Sequence, residues 1–150
     1  MLIRNTKPTC YQTSFLQAAL HCENNIQGQC DAAASLQMPL THRDVARGVT
    51  FVTAHTRDGG APDWAALART GTTLVIYMGM QRIDAIAAAR VAAGLGSTPA
   101  AVIERGTTAA ERSVIGSVST MAAQAAAAGL GSPALIVIGD VVAMANTRAA

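Results

Sequence analysis

Thr73-Leu74-Val75-Ile76-Tyr77-Met78 is a continuous, largely apolar run of strand length, closed by Gly79. A strand without polar alternation is buried on both faces, as in a sheet covered by helices on both sides. Downstream, Met80, Ile83, Ile86, Ala87, Arg90 and Val91 recur at helical spacing, and Gly94 is placed to end that helix. Upstream, Asp63 is positioned to cap a short helix over residues 64–69, and Val49-Thr50-Phe51-Val52-Thr53-Ala54 reads as a strand that runs into a polar loop, residues 55–60. Further on, Ala100-Ala101-Val102-Ile103-Glu104 and residues 113–118 read as two more strands, the second interrupted by Gly116. Ser119 then caps an alanine-rich helix, residues 122–128, which Gly129, Gly131 and Pro133 stop before a last strand, residues 134–138. This alternation predicts an α/β fold with a mixed, mostly parallel five-stranded sheet flanked by helices. The loop over residues 105–111 is too short for a helical crossover, so the strand pair it joins is expected to be antiparallel. Ligands of such sheets sit beyond strand ends, which points to the loops after Met78 and after Glu104.

The amino-terminal part differs in character. Residues 1–25 mix Cys, Gln, Asn and Thr and form a divergent segment; the fold is expected over residues 26–150. Small residues at 31–36 suggest a short helix ended by Pro39, and Thr41-His42-Arg43-Asp44 has the spacing of a capping box, which predicts a helical turn there. Alanine makes up much of the 51% hydrophobic content and only 3% is aromatic, so the core rests on Val, Ile, Leu and Met and is thin enough for a partner to complete it.

Composition also excludes function classes. The net charge of +2 is spread over single basic residues with no Lys or Arg run, which argues against nucleic acid as a partner. No apolar stretch reaches the roughly 18 residues needed to cross a bilayer, and residues 1–20 lack the apolar centre of a signal peptide, so the expected location is cytoplasmic, with no membrane partner. Cys10, Cys22 and Cys30 are odd in number and include no C-x-x-C pair, so no metal site is expected. The loop Arg105-Gly106-Thr107-Thr108 lacks the G-x-x-x-x-G-K-[ST] pattern of a triphosphate site, and Ser113, Ser117 and Ser119 lack the G-x-S-x-G context of a hydrolase nucleophile.

Three stretches, in order, resemble a known family: Pro39-Leu40-Thr41-His42-Arg43-Asp44 through Phe51-Val52-Thr53-Ala54-His55, then Tyr77-Met78-Gly79, then Glu104-Arg105-Gly106-Thr107-Thr108 with Arg112. With Ser132-Pro133-Ala134-Leu135-Ile136-Val137-Ile138-Gly139 and Val141-Val142-Ala143 after them, they resemble the carboxyl-terminal half of the tetrapyrrole methylases of the uroporphyrinogen-III C-methyltransferase kind. The resemblance implies methyl transfer from S-adenosyl-L-methionine (SAM) to carbon atoms of uroporphyrinogen III, giving precorrin-2 for siroheme or cobalamin. It also implies a trough between two α/β subdomains, of which this chain matches the second.

By that resemblance Met78 and Gly106 are the cofactor-binding candidates. Met78 follows the buried strand and its other reading is core filler; a glycine at 106 leaves room for a ligand to approach. His42 and Arg43 are substrate-binding candidates, since guanidinium pairs well with the carboxylates of uroporphyrinogen, and their other reading is the start of a helix with a structural ion pair. His55, at a strand end, reads as structural, and no catalytic residue is assigned. The P-G-I-T-A-A stretch of the family falls on Asn24-Asn25-Ile26-Gln27-Gly28-Gln29, where only the isoleucine is shared, and the family's glycine-rich loop has no counterpart. The chain therefore resembles a fragment: a truncated or split enzyme completed by a separate amino-terminal half or a homodimer partner. The alternative is a non-catalytic remnant that serves dimerisation or weak ligand binding.

Overall fold

Period-two alternation along three central strands sends side chains to two opposite faces, and both faces are covered. The computed structural model describes residues 26–55 and 59–145, so the expectations for residues 1–25, Cys10 and Cys22 among them, lie outside the described residues. In chain order the elements are α1 (Ile26–Ser35), β1 (Val49–Thr53), α2 (Trp64–Ala68), β2 (Thr73–Tyr77), a 3₁₀ turn (Met80–Arg82), α3 (Ile83–Ala92), β3 (Pro99–Glu104), β4 (Arg112–Ser117), α4 (Val118–Ala127), β5 (Ala134–Ile138) and a second 3₁₀ turn (Asp140–Met144).

The sheet order is β1-β2-β5-β3-β4. Leu74 and Ile76 of β2, Ala100 and Val102 of β3, and Ile136 and Ile138 of β5 pack beneath α2, α3 and α4 with Ile86, Met121 and Trp64. The intervening Val75, Ala101, Ile103, Leu135 and Val137 face the other way, under Ala32 and Ala33 of α1, Met38 and Val142. Val75, Ile76, Val102, Ile136 and Val137 are fully buried, and burial of such side chains stabilises by about 1.5–3 kcal/mol each before entropy is set against it.

The expectation of a mostly parallel sheet is corrected. Only β1 and β2 pair in parallel, and the β2–β5, β5–β3 and β3–β4 pairings are antiparallel. The reason lies in the crossovers. The helical connections β2–α3–β3 and β4–α4–β5 do return each chain segment to a strand running in its original direction, but each skips one position. The two units interleave, so β5 is inserted between β2 and β3 against both. The short-loop pair β3–β4 is antiparallel as expected, with Pro99 opposite Ser117 and Glu104 opposite Arg112.

Two local expectations change as well. Thr41–Asp44 does not begin a helix: the His42 N–H donates to the Ala46 carbonyl at 2.8 Å and the Ala46 N–H returns to His42 at 2.9 Å, closing a tight turn. Gly48 and the strand that follows leave no helix for the box to cap. The cap of α4 is Ser117 rather than Ser119, in a reciprocal capping box with Thr120. Asp63 caps α2 as expected, accepting from the Ala66 N–H at 2.8 Å.

Candidate functional site

Because β1, β2 and β3 run in one direction, their carboxyl ends meet at one edge of the sheet. The Ala54 N–H donates to the Tyr77 carbonyl at 3.0 Å, which ties the end of β1 to the end of β2 and sets His55 beside Met78. Thr53 Oγ1 fastens that corner, donating to the His55 carbonyl at 2.9 Å and lying 3.8 Å from Met78 Sδ. Met78 has φ +56 and is 43% exposed, a left-handed conformation that a long side chain adopts at some cost. The next residue, Gly79, is closely packed: a Cβ there would stand 2.9 Å from Ile136 Cδ1 and 3.1 Å from Ile76 Cγ2. The result is a cleft of about 290 Å³ lined by His55, Met78, Gln81 and Ser132.

The loop after β3 lies at the same sheet edge and is also strained. Arg105 and Thr107 take φ values of +50 and +67, so three non-glycine residues of this edge, Met78 included, are left-handed. Hydrogen bonds hold the loop in that shape: Arg105 N–H to the Pro133 carbonyl at 3.0 Å, Thr108 Oγ1 to the Arg105 carbonyl at 2.7 Å, and Thr107 N–H to Glu111 Oε2 at 2.6 Å. Strained backbone held by its surroundings concentrates at ligand sites.

Beneath the loop is an ion pair. Glu104, only 4% exposed, accepts from Arg112 Nε at 2.8 Å and lies 2.6 Å from Arg112 Nη2, while the Gly131 N–H donates to its other oxygen at 3.0 Å. Arg112 also donates to the Ala128 and Gly129 carbonyls at 3.1 and 2.9 Å, which satisfies the end of α4. Burial pushes the Glu104 carboxyl up, but the Arg112 and Gly131 hydrogen bonds and the charges of Arg112 and Arg105 outweigh it and hold the group below its ordinary value of 4.5. A depressed carboxyl contributes stability that is present above the unfolded value and is lost as pH falls through the folded one. Urea unfolding over a pH series is therefore expected to show stability dropping as pH falls below 4.5, with a shallower drop in Glu104→Gln. Identical slopes in the two proteins would show that the pair does not titrate with unfolding.

The other expected site residues are placed as follows. Gly106 is buried beneath α1, and a Cβ there would come within 2.6 Å of Ala32 Cβ. His42 and Arg43 precede β1 and so stand at the opposite edge of the sheet, roughly 15 Å away along five residues of strand. Arg43 lines a groove there of about 460 Å³ with Asp44, Val45, Arg47 and Thr70–Thr72. His42 Nδ1 accepts from the Asp44 N–H at 3.3 Å and is 3.7 Å from Asp44 Oδ2. The structure thus brings Met78 to the edge that carries the Arg105–Thr107 loop and separates it from the His42–Arg43 pair. Gln81 is not singled out from sequence, and Ser132 enters there only at the start of a family-like stretch, with no site role; isolated polar residues in turns carry no pattern, and the insertion of β5 beside β2 brings Ser132 to Met78.

A family model described as "Tetrapyrrole (Corrin/Porphyrin) Methylases" matches residues 24–122. The chain is 43% identical over 119 residues to a uroporphyrinogen-III C-methyltransferase of Pseudomonas aeruginosa, covering 79% of this chain and 49% of that protein. It is 49% identical over 126 residues to siroheme synthase 2 of Aeromonas hydrophila subsp. hydrophila, covering 83% of this chain and 26% of that protein. Among solved structures, a uroporphyrin-III C-methyl transferase from Thermus thermophilus complexed with S-adenyl homocysteine superposes with a TM-score of 0.63 at 34% identity, over 75% of this chain and 50% of that one. A cobalt precorrin-4 methyltransferase shares the fold, with a TM-score of 0.68 at 22% identity. The chain thus spans about half the length of the methyltransferases it matches and about a quarter of the siroheme synthase.

Proposed function

The chain belongs to the tetrapyrrole (corrin/porphyrin) methylases, and we propose that it forms one wall of a SAM-dependent methyltransferase site that converts uroporphyrinogen III to precorrin-2. The observation that carries this reading is Met78, exposed and left-handed at the carboxyl end of β2, over a cleft shared with His55, Gln81 and Ser132. At about 290 Å³ the cleft falls at the lower limit of pockets that bury a whole drug-sized molecule, so it accommodates part of the donor. The residues present fit that share. Met78 offers a flexible, polarizable thioether for an apolar contact, and Gln81 and Ser132 offer an amide and a hydroxyl for the donor's polar groups.

The donor supplies an electrophilic methyl group; this chain's residues bind it, orient it and keep water from one side of it. Orientation of that kind supplies a large part of a transfer rate, and it requires both walls of the trough. The second wall is assigned here to a separate amino-terminal half, or to a second copy of the chain, and the assembly to the cytoplasm. Gly106 belongs to the same wall, one loop away from Met78. His42 and Arg43, at the other edge of the sheet, have no part in this cleft.

Calorimetric titration with S-adenosylhomocysteine tests the reading without turnover. Saturable binding is expected, weakened by about tenfold or more in Met78→Ala, a change that removes an exposed side chain and leaves the core intact. A folded chain that takes up no ligand at millimolar concentration would reject the methyltransferase wall in favour of a non-catalytic dimerisation module.

A further inference from the structure

The edge of the sheet opposite Met78 holds a second cleft of about 180 Å³, between the start of β2, the end of α3 and the turn after β5, lined by Thr73, Arg90, Leu95, Thr98 and Asp140 among others. Arg90 is 4% exposed, and among the described residues its Nε and Nη1 have no hydrogen-bond partner; Thr73 is fully buried and its Oγ1 has none there either. Both residues line the same cleft, with the unpartnered atoms themselves buried at its wall. A guanidinium cannot shed its proton at physiological pH, so its burial is costly unless a counter-charge reaches it. Burial lowers the Arg90 pKa, which has the same origin.

Water alone is a poor solution. Water in the cleft satisfies donors but brings no counter-charge to the guanidinium. Asp140 lines the cleft as an exposed residue at the start of the second 3₁₀ turn and leaves the Arg90 Nε and Nη1 unpartnered. The surroundings are otherwise favourable to an anion. The adjoining groove, which shares Val45, Gly71 and Thr72 with this cleft, adds two cations, Arg43 and Arg47, against one acid, Asp44, to its rim. Gly139, φ +152, carries no side chain beside Thr73: a Cβ there would stand 3.3 Å from Thr73 Cα and 3.4 Å from Thr73 Oγ1, crowding the hydroxyl.

We propose that this cleft is a binding site for one small oxyanion, a carboxylate or phosphate group, held by the Arg90 guanidinium and the Thr73 hydroxyl. The volume suits a single such group, guanidinium is the side chain best matched to its geometry, and the buried hydroxyl supplies a neutral donor. The site is separate from the Met78 cleft and does not rest on the methyltransferase reading.

Thermal unfolding of the whole chain at constant ionic strength, with chloride exchanged for inorganic phosphate in one series and for acetate in another, tests it. Tm is expected to rise saturably, by roughly 5 °C at tenfold excess over Kd, in at least one series. A rise with acetate identifies a carboxylate site, and a rise with phosphate alone a phosphate site. Arg90→Met, which replaces a buried unpaired charge by an apolar chain of similar length, should remain folded and lose the response. Arg90→Lys should retain a weaker one, and Thr73→Val should shift the midpoint to higher ligand concentration. The ³¹P linewidth of phosphate in the presence of each protein gives a second readout that does not depend on unfolding. A parent protein indifferent to both anions, or a response that survives in Arg90→Met, would overturn the proposal.

Discussion

Replacing Arg112 by Ala is expected to lower stability by about 2–4 kcal/mol, more than Glu104→Gln, which should cost about 1. The asymmetry follows from where the two partners lie. The Glu104 side chain is 5% exposed and the Arg112 side chain 52%. Without Arg112, a buried carboxylate keeps only the Gly131 N–H as a donor, and the Ala128 and Gly129 carbonyls lose theirs. Breaking a buried pair in this way costs about 3–5 kcal/mol in general, and the access of water to the outer half of Arg112 discounts it. Glu104→Gln keeps one oxygen to accept from Arg112, whose charge is already partly solvated, while its amide NH2 faces the Gly131 N–H, and that lost hydrogen bond sets the cost at about 1 kcal/mol. Urea unfolding followed by circular dichroism at neutral pH measures both. At pH well below 4.5, where Glu104 is protonated in part, the cost of Arg112→Ala should shrink. An Arg112→Ala protein within 0.5 kcal/mol of the parent would reduce this network to an ordinary surface ion pair.

That network was visible in the sequence only as Glu104 and Arg112 standing at the ends of a short loop. Their register, one directly opposite the other across β3 and β4, follows from the antiparallel pairing that the loop length demands. The elements around Thr73–Tyr77 were legible for the same kind of reason: a run without polar alternation has nowhere to go except between two layers. The place of β5 was not legible. Ala134–Ile138 is apolar throughout, as a central strand must be, but an apolar run reads identically in either direction, and a helical crossover has the same length whether it reaches the next position or skips one. The turn at Thr41–Asp44 failed differently. The pattern of a capping box is local, and a helix forms only when residues after it can continue one, which Arg47-Gly48 and the β-branched strand cannot. Arg90 fell on the apolar stripe of its helix at a position where a charge is out of place, and that misfit was the one sequence signal of the second cleft.

Gly106→Ala is expected to cost about 2–3 kcal/mol, and Ala32→Gly introduced beside it should restore roughly half. A Cβ at 106 would stand 2.6 Å from Ala32 Cβ and 3.2 Å from Ala32 Cα. Neither is the end of a flexible side chain, so relief requires α1 to move away from the sheet it covers with Ala32 and Ala33. Removing the Ala32 methyl group opens the closest of these contacts. It also puts a glycine into the helix, at about 1 kcal/mol, so the rescue is incomplete. A double-mutant cycle with a coupling of about 1 kcal/mol or more identifies helix packing as the reason for the glycine, and strict additivity would exclude it. The same four proteins separate packing from ligand contact. If Gly106 also lets the methyl donor approach the loop after β3, S-adenosylhomocysteine affinity stays low in the double variant after its stability has recovered. If the glycine serves only α1, affinity and stability return together.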